Sequence, residues 1–418
     1  RIQGGAVTAS LALWIAALSC AAACGCSTRD AANPLDPRNP DTRGEPEWLL
    51  ALADDEAVDL AWEVPDYDDL REIRVVDADA ESLLTLGPAG SGAFRHQGLV
   101  NGVERRYRLE LLLDGGKRLE LAPVAATPGR EVVWVFEDGS GSLTRLTPDG
   151  RLRRLRRIHS DGNAVFADPD SGHALLTEFY SGTVRLLDRE GRERWDNDSF
   201  LGPLVALRAP GGWWVGDGRA GAVHFLNENG AVIFSDSSFT RVIDLAPAGE
   251  HAAWVADRAG AVLRVERGLG VTRRDSSAVE PVAICAAGEG GFWVADRSGE
   301  SLLRVGAGGR VEARVEDRPG LVALAPDPIL PGGVWAADRL RKCIVLFDAA
   351  GVAQVEAGGL NAPASLAVAP DGGVVWVADP GLGRVLRIRR DGVTLGRSEP
   401  LAYPTALAVV FDPKRPAS

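Results

Sequence analysis

The chain has 418 residues, 45% hydrophobic and 25% charged, which is enough apolar material for sizeable cores and too much for a disordered chain. Asp and Glu outnumber Lys and Arg 58 to 46, and the net charge of −12 excludes a general nucleic-acid binder, because phosphates select basic surfaces. Forty-nine glycines and 25 prolines spread along the sequence imply many turns between short elements and predict an all-β protein. No Met occurs, even at position 1, so the N-terminus is expected to be cut short.

Residues 6–23 (AVTASLALWIAALSCAAA) form an uncharged apolar run after Arg1. Its length sits at the short end of a membrane span and suits a secretory leader. Three of the five cysteines close it, in Ser19-Cys20-Ala21-Ala22-Ala23-Cys24-Gly25-Cys26-Ser27. Small residues before a Cys at the end of an apolar stretch resemble a bacterial lipoprotein signal, a resemblance that implies acylation of the Cys thiol and cleavage before it. Cys26 is favoured, because cleavage there discards the other two thiols, which are a liability in an oxidising compartment. Cys20 and Cys24 remain the alternatives. Segment 1–26 is thus expected to be a lipoprotein-type signal, with the lipid on the retained Cys anchoring the chain to a bacterial membrane, the outer membrane by preference. Residues 27–45, rich in Pro, Asp, Arg and Asn, read as an extended tether.

From 46 to 128 short alternating runs take over, including Val58–Trp62, Ile73–Val76, Arg106–Leu111 and Arg118–Leu121. Their lengths and spacing predict an antiparallel sandwich. Leu60-x-Trp62-x-x-Pro65, Gly98-Leu99-Val100-Asn101-Gly102 before a Tyr-bearing strand, and the closing Ala126-Thr127-Pro128 resemble a fibronectin type III domain. On that resemblance the family's corner tyrosine falls on Arg105, and Tyr107 takes the next inward position. Trp62 is expected to anchor the core.

Residues 129–418 are a repeat. Seven stretches such as Ala253-Trp254-Val255-Ala256-Asp257 end in Glu137, Glu178, Asp217, Asp257, Asp296, Asp338 and Asp379, at steps of 41, 39, 40, 39, 42 and 41. Each copy reads as four short strands in about 40 residues, the unit of a β-propeller blade. The segment opens on a second strand (131–137) and ends on an unpartnered first strand (Pro404–Val409), so the C-terminal strand is predicted to close a seven-bladed ring. The copy with Asn361, Pro363, Leu366-Ala367-Val368, Trp376–Asp379 and Gly383–Ile388 resembles the NHL and streptogramin-lyase-like propellers, although seven copies depart from the six-bladed NHL form. The fold class expected is therefore all-β, a seven-bladed β-propeller preceded by a small fibronectin type III-like β-sandwich.

A carboxylate in every blade points to a blade component that fixes hairpins through turn N–H groups, since a catalytic site is assembled from different residues on different blades. Arg258, Arg297 and Arg339 follow three of the acids and are expected to screen them. The five histidines, His96, His159, His173, His224 and His251, do not match the His and Glu set that the lyase resemblance implies around a metal. Asp168–Gly172 lacks the bidentate Glu of a calcium loop and reads as a turn. Cys285 and Cys343 fall in strands of different radial position and are expected to be buried free thiols. No catalytic residue, metal ligand or cofactor emerges. The expected function is a non-catalytic envelope lipoprotein whose propeller binds a protein or glycan partner; the alternative is a metal-dependent propeller enzyme of lyase or lactonase type.

Overall fold

The computed structural model describes residues 42, 46, 48–65, 69–87, 90–153, 162–169, 171–189 and 191–411. Cys20, Cys24, Cys26 and all of the tether but Thr42 lie outside the described residues, as does His159. The chain divides between Arg130 and Glu131 into two compact units.

The first unit is a pair of antiparallel sheets. One orders Leu49–Asp54, Ala57–Glu63 and Ser91–Gln97; the other orders Ser82–Gly87, Leu70–Asp77, Arg105–Leu113 and an edge strand split into Arg118–Glu120 and Val124–Ala126. Pro123, which has no N–H to donate, sits in the break. Leu60 and Trp62 from one sheet and Ile73, Val75, Leu109 and Leu111 from the other form a single core. Trp62 is only 3% exposed, and its ring takes the space where a Cβ on Gly87 or Gly92 would stand, 2.4 and 2.2 Å away. Tyr107 is fully buried, and its hydroxyl lies 3.2 Å from His96 Nδ1. Burial, then the Asp77 charge, pushes its pKa well above the usual phenol range.

The second unit is seven four-stranded antiparallel sheets. Blade 4 is typical, with strands Val242–Pro247, Ala252–Asp257, Ala261–Glu266 and Gly270–Asp275 in that order. The first strand of each blade lies against the first strands of the blades on either side, from Gly162–Ala167 through to Ser365–Val368 and then Pro404–Phe411. That circuit makes the first strands an inner ring. Pro404–Phe411 pairs with Glu131–Glu137, so blade 1 is completed by the C-terminus and no sheet edge is left at the seam. Glu131 also accepts from Arg387 of blade 7 at 2.9 Å.

Blades interlock through alternation on the second strand. Trp254 and Ala256 turn toward blade 5, where Ile284, Phe292 and Val294 meet them; Ala253 and Val255 turn back toward Trp214 of blade 3. Six of the seven blades place a fully buried Trp three residues before the acid; blade 2 has Leu175 there. The residue just before the acid meets the start of the next blade, and volume is exchanged across that contact. Gly216 leaves room for Val242, whose Cγ1 stands 2.5 Å from where a Gly216 Cβ would be. At the blade 1–2 junction the sizes are reversed: Phe136 is large and Gly162 has no side chain, and a Cβ there would lie 2.4 Å from Phe136 Cε2. Sequence alone showed Trp beside small residues; it did not show this exchange between blades.

That reversal makes a double-mutant cycle decisive. Gly162→Val and Phe136→Ala should each destabilise the propeller, by about 1–3 and about 3–5 kcal/mol respectively. The double variant should recover part of the loss in urea melts, because the new side chain fills the new cavity; additive losses would refute the exchange.

Candidate functional site

The recurrent acids stand where the second strand meets its hairpin, and all seven are buried. Asp217 accepts N–H groups from Leu201 and Gly202, at 2.7 and 3.0 Å, and from Arg219 and Ala220, at 3.2 and 2.8 Å. The first pair belongs to the loop leading into the blade's own first strand, the second pair to the hairpin. One carboxylate thus joins two loops at one end of the blade. Asp257 repeats the pattern on Thr240, Arg241 and Ala259, Asp296 on Val279, Glu280 and Gly299, and Asp379 on Asn361, Ala362 and Leu382. Carboxylates engaged by several N–H donors each are fixed in place and have few lone pairs to offer a ligand.

Three acids vary the theme. Glu137 accepts from Thr144 Oγ1 and from the N–H of Ala402, 265 residues away, which ties the ring closure. Glu178 takes Ser181 Oγ at 2.9 Å and Arg185 Nε at 3.0 Å. Asp338 accepts from the Arg341 N–H and is paired with Arg318, 3.5 Å away. The expectation that Arg258, Arg297 and Arg339 screen the acids does not hold. Arg297 pairs with Glu280 at 3.1 Å instead, and all three side chains are exposed. Backbone dipoles, not guanidinium groups, carry most of the compensation, because the N–H groups are already aimed at the carboxylate by the turns.

One acid that the sequence reading passed over stands apart. Asp244 lies in the inner ring, at the position held by Val205, Ala283, Ala323, Ser365, Ala406 and Ala164 in the other blades. Its carboxylate accepts from its neighbour Leu245 N–H at 2.8 Å and, across to blade 5, from Ile284 N–H at 2.9 Å. Burial pushes its pKa up to about 6, with the two N–H bonds opposing. The signal was available: it is the one carboxylate at that position when the repeats are superposed.

The other candidates resolve individually. Cys285 and Cys343 are buried free thiols, and burial raises both, so neither is a ready nucleophile. His224 Nδ1 lies 2.8 Å from Ser235 Oγ, and burial holds its pKa below the ordinary imidazole value. His251 lies against Arg267, 3.1 Å away, and the Gly172 N–H donates to the Asp168 carbonyl at 2.9 Å, while Asp170 lies outside the described residues. Among the described residues no group of three or more His, Cys, Asp or Glu could hold a metal ion, and no helix is long and apolar enough to cross a membrane.

No protein family matches the chain by sequence, and no curated protein matches it. Solved structures do. A putative 6-phosphogluconolactonase from Bacteroides fragilis is 12% identical, with a TM-score of 0.55 over 68% of this chain and 99% of that one. The WD40 β-propeller domain of Doa1 is 12% identical, at 0.53 over 60% and 86%. A streptogramin B lyase is 15% identical, at 0.51 over 59% and 87%. At such identities the likeness shows the fold, a β-propeller, that lactonase, lyase and WD40 proteins share.

Two outcomes follow from these contacts. Asp257→Ala should cost about 2–3 kcal/mol in urea denaturation, since three N–H donors lose their acceptor, and Asp257→Asn should cost less because one oxygen remains. Asp244 titrates higher folded than unfolded, so its contribution favours folding below about pH 4 and is lost as pH rises through about 6. Melting temperature should therefore show a fall over that interval which Asp244→Ala removes.

Proposed function

We propose that the chain is a bacterial envelope lipoprotein, acylated at Cys26, that displays a fibronectin type III-like spacer and uses its propeller as a binding module. The observation that carries the binding part is the fixing of the loops at one end: in blades 3, 4, 5 and 7 one buried carboxylate takes backbone N–H donors from both the entry loop and the hairpin, so these loops are held as a firm surface. Rigid closure with loops exposed at both ends suits recognition, because a stiff scaffold loses little entropy when its loops engage a partner. The three-stranded and split five-stranded sheets of the first unit support the spacer reading, as does its Trp62-centred core. The address rests on the apolar run and its cysteines. An envelope protein or glycan is the expected partner, and no cofactor is required by this reading.

Expression of the full chain in a Gram-negative host tests the proposal in two arms. Metabolic palmitate labelling should be lost in Cys26→Ala and kept in Cys20→Ala and Cys24→Ala; label that survives Cys26→Ala places the anchor elsewhere. In-situ crosslinking through the propeller should yield one saturable adduct that purified components reproduce. Saturable metal-dependent turnover of lactones or cyclic depsipeptides, with no adduct, would establish the enzyme reading instead.

A further inference from the structure

Blade 2 departs from the other six at its hairpin. Phe179 and Tyr180 follow its acid, and no other blade has an aromatic residue at either of those two positions. The Gly182 N–H donates to the Glu178 carbonyl at 3.0 Å and Ser181 Oγ donates to the Glu178 carboxylate at 2.9 Å, so the hairpin is closed on itself. The Phe200 N–H, from the entry loop of blade 3, donates to the Gly182 carbonyl at 3.2 Å. Phe179 lies over Gly202 of that same loop, where a Cβ would stand 2.8 Å from Phe179 Cε2 and 2.9 Å from Arg219 Cβ. One residue without a side chain thus lets an aromatic ring from blade 2 meet an arginine from the hairpin of blade 3.

The Arg219 guanidinium carbon stands 4.7 Å from the centre of the Phe179 ring, and the Tyr180 ring stands against that same ring at 5.2 Å and 88°. Phe179, half-buried, is therefore the hub that holds the other two together. Tyr180 is 73% exposed, so most of its ring is open to solvent. Among the described residues no carboxylate pairs with Arg219. Its guanidinium lies over an aromatic ring and keeps N–H groups for a carboxylate, which a planar fork can grip with two bonds. Part of its side-chain freedom is already lost before any ligand arrives. The Tyr180 face offers negative π density, which attracts the C–H groups on the apolar side of a pyranose ring. One or two sugar units span the distance between the two groups, since both touch the same phenylalanine.

We propose that the platform of Phe179, Tyr180 and Arg219 binds a uronic sugar of an envelope glycan, its carboxylate on Arg219 and its ring on Tyr180. This rests on the binding reading above and names the site and the ligand chemistry. The size of the platform favours a sugar over a protein: a stable protein interface takes roughly 20–30 residues a side, whereas this is a cluster of three side chains at one junction between blades. Phe179 is a positioning residue, and Arg219 and Tyr180 make the contacts.

Isothermal titration of the full chain with a hyaluronan tetrasaccharide and with trigalacturonate, each beside its carboxyl-reduced form, tests it. Both uronates should bind more tightly than their reduced forms, and Arg219→Gln should weaken them about ten-fold and erase that preference. Tyr180→Ala should weaken acidic and reduced sugars alike. Arg219→Lys, which keeps the charge and loses the planar fork, should fall between the parent and Arg219→Gln. Both side chains are exposed, so the urea midpoints of all three variants should match the parent. Uronate binding that ignores Arg219→Gln or Tyr180→Ala overturns the proposal, as does the absence of binding to both uronates. A labelled glutamate–tyrosine copolymer bound more tightly than the uronates, and released by the same two substitutions, overturns it in favour of a protein partner. If the uronates fail to bind while the crosslinked adduct described above still forms, this site is wrong and the binding reading stands; if neither is seen, the binding reading fails with it.

Discussion

The propeller depends on the contact between consecutive blades, in which a buried indole and a small residue on one second strand receive the first strand and second strand of the next. A fully buried large side chain contributes about 2–3 kcal/mol from area alone, and six such tryptophans repeat the contact around the ring. The contact has a cost. Among the described residues the indole N–H groups of Trp134, Trp214, Trp254 and Trp376 are buried without an acceptor, whereas Trp293 donates to the Gly332 carbonyl and Trp335 to Asp327. An unpaired buried donor costs about 1–3 kcal/mol, so the apolar contact has to exceed that at four positions. Closure matters for the same reason: a ring with one blade unfinished exposes two of these faces at once, and Pro404–Phe411 prevents it.

The blade acids solve a separate problem. Stacked sheets leave loops whose N–H groups find no strand partner, and Asp217, Asp257, Asp296 and Asp379 each collect those of two loops that are separated in sequence but adjacent in space. The hairpins also press against the following blade. A Cβ on Gly182 would lie 2.2 Å from the Phe200 carbonyl oxygen, and one on Gly221 2.4 Å from that of Phe239, and both glycines have positive φ. The left-handed conformation and the close approach both require glycine there. In blades 5 and 6 the left-handed position is taken by Glu300 and Lys342. Loops fixed this firmly can present side chains outward with little freedom.

Much of the architecture was legible in the sequence. Constant spacing of Trp and acid gave the blade count, and the missing first strand at 131 matched the surplus strand at 404, because a repeat leaves the same traces in every copy. The hairpin role of the acids was legible too, from Asp at strand ends. Their second set of partners was not, because Leu201 and Asp217, or Ala402 and Glu137, are brought together only by folding. The supposed screening by Arg258, Arg297 and Arg339 failed for the same reason: adjacency in sequence suggested pairs, but strand direction sends these side chains outward.

Composition and periodicity by themselves determined the class of fold, the number of blades and which strand closes the ring, since those follow from local patterns copied seven times. Tertiary structure decided what breaks the copies: Phe136 filling the space left by Gly162, and Asp244 bridging blade 4 to blade 5. Each of these is a relation between residues some 25 to 40 positions apart, and a single strand's pattern holds no information about the neighbour that folding places beside it.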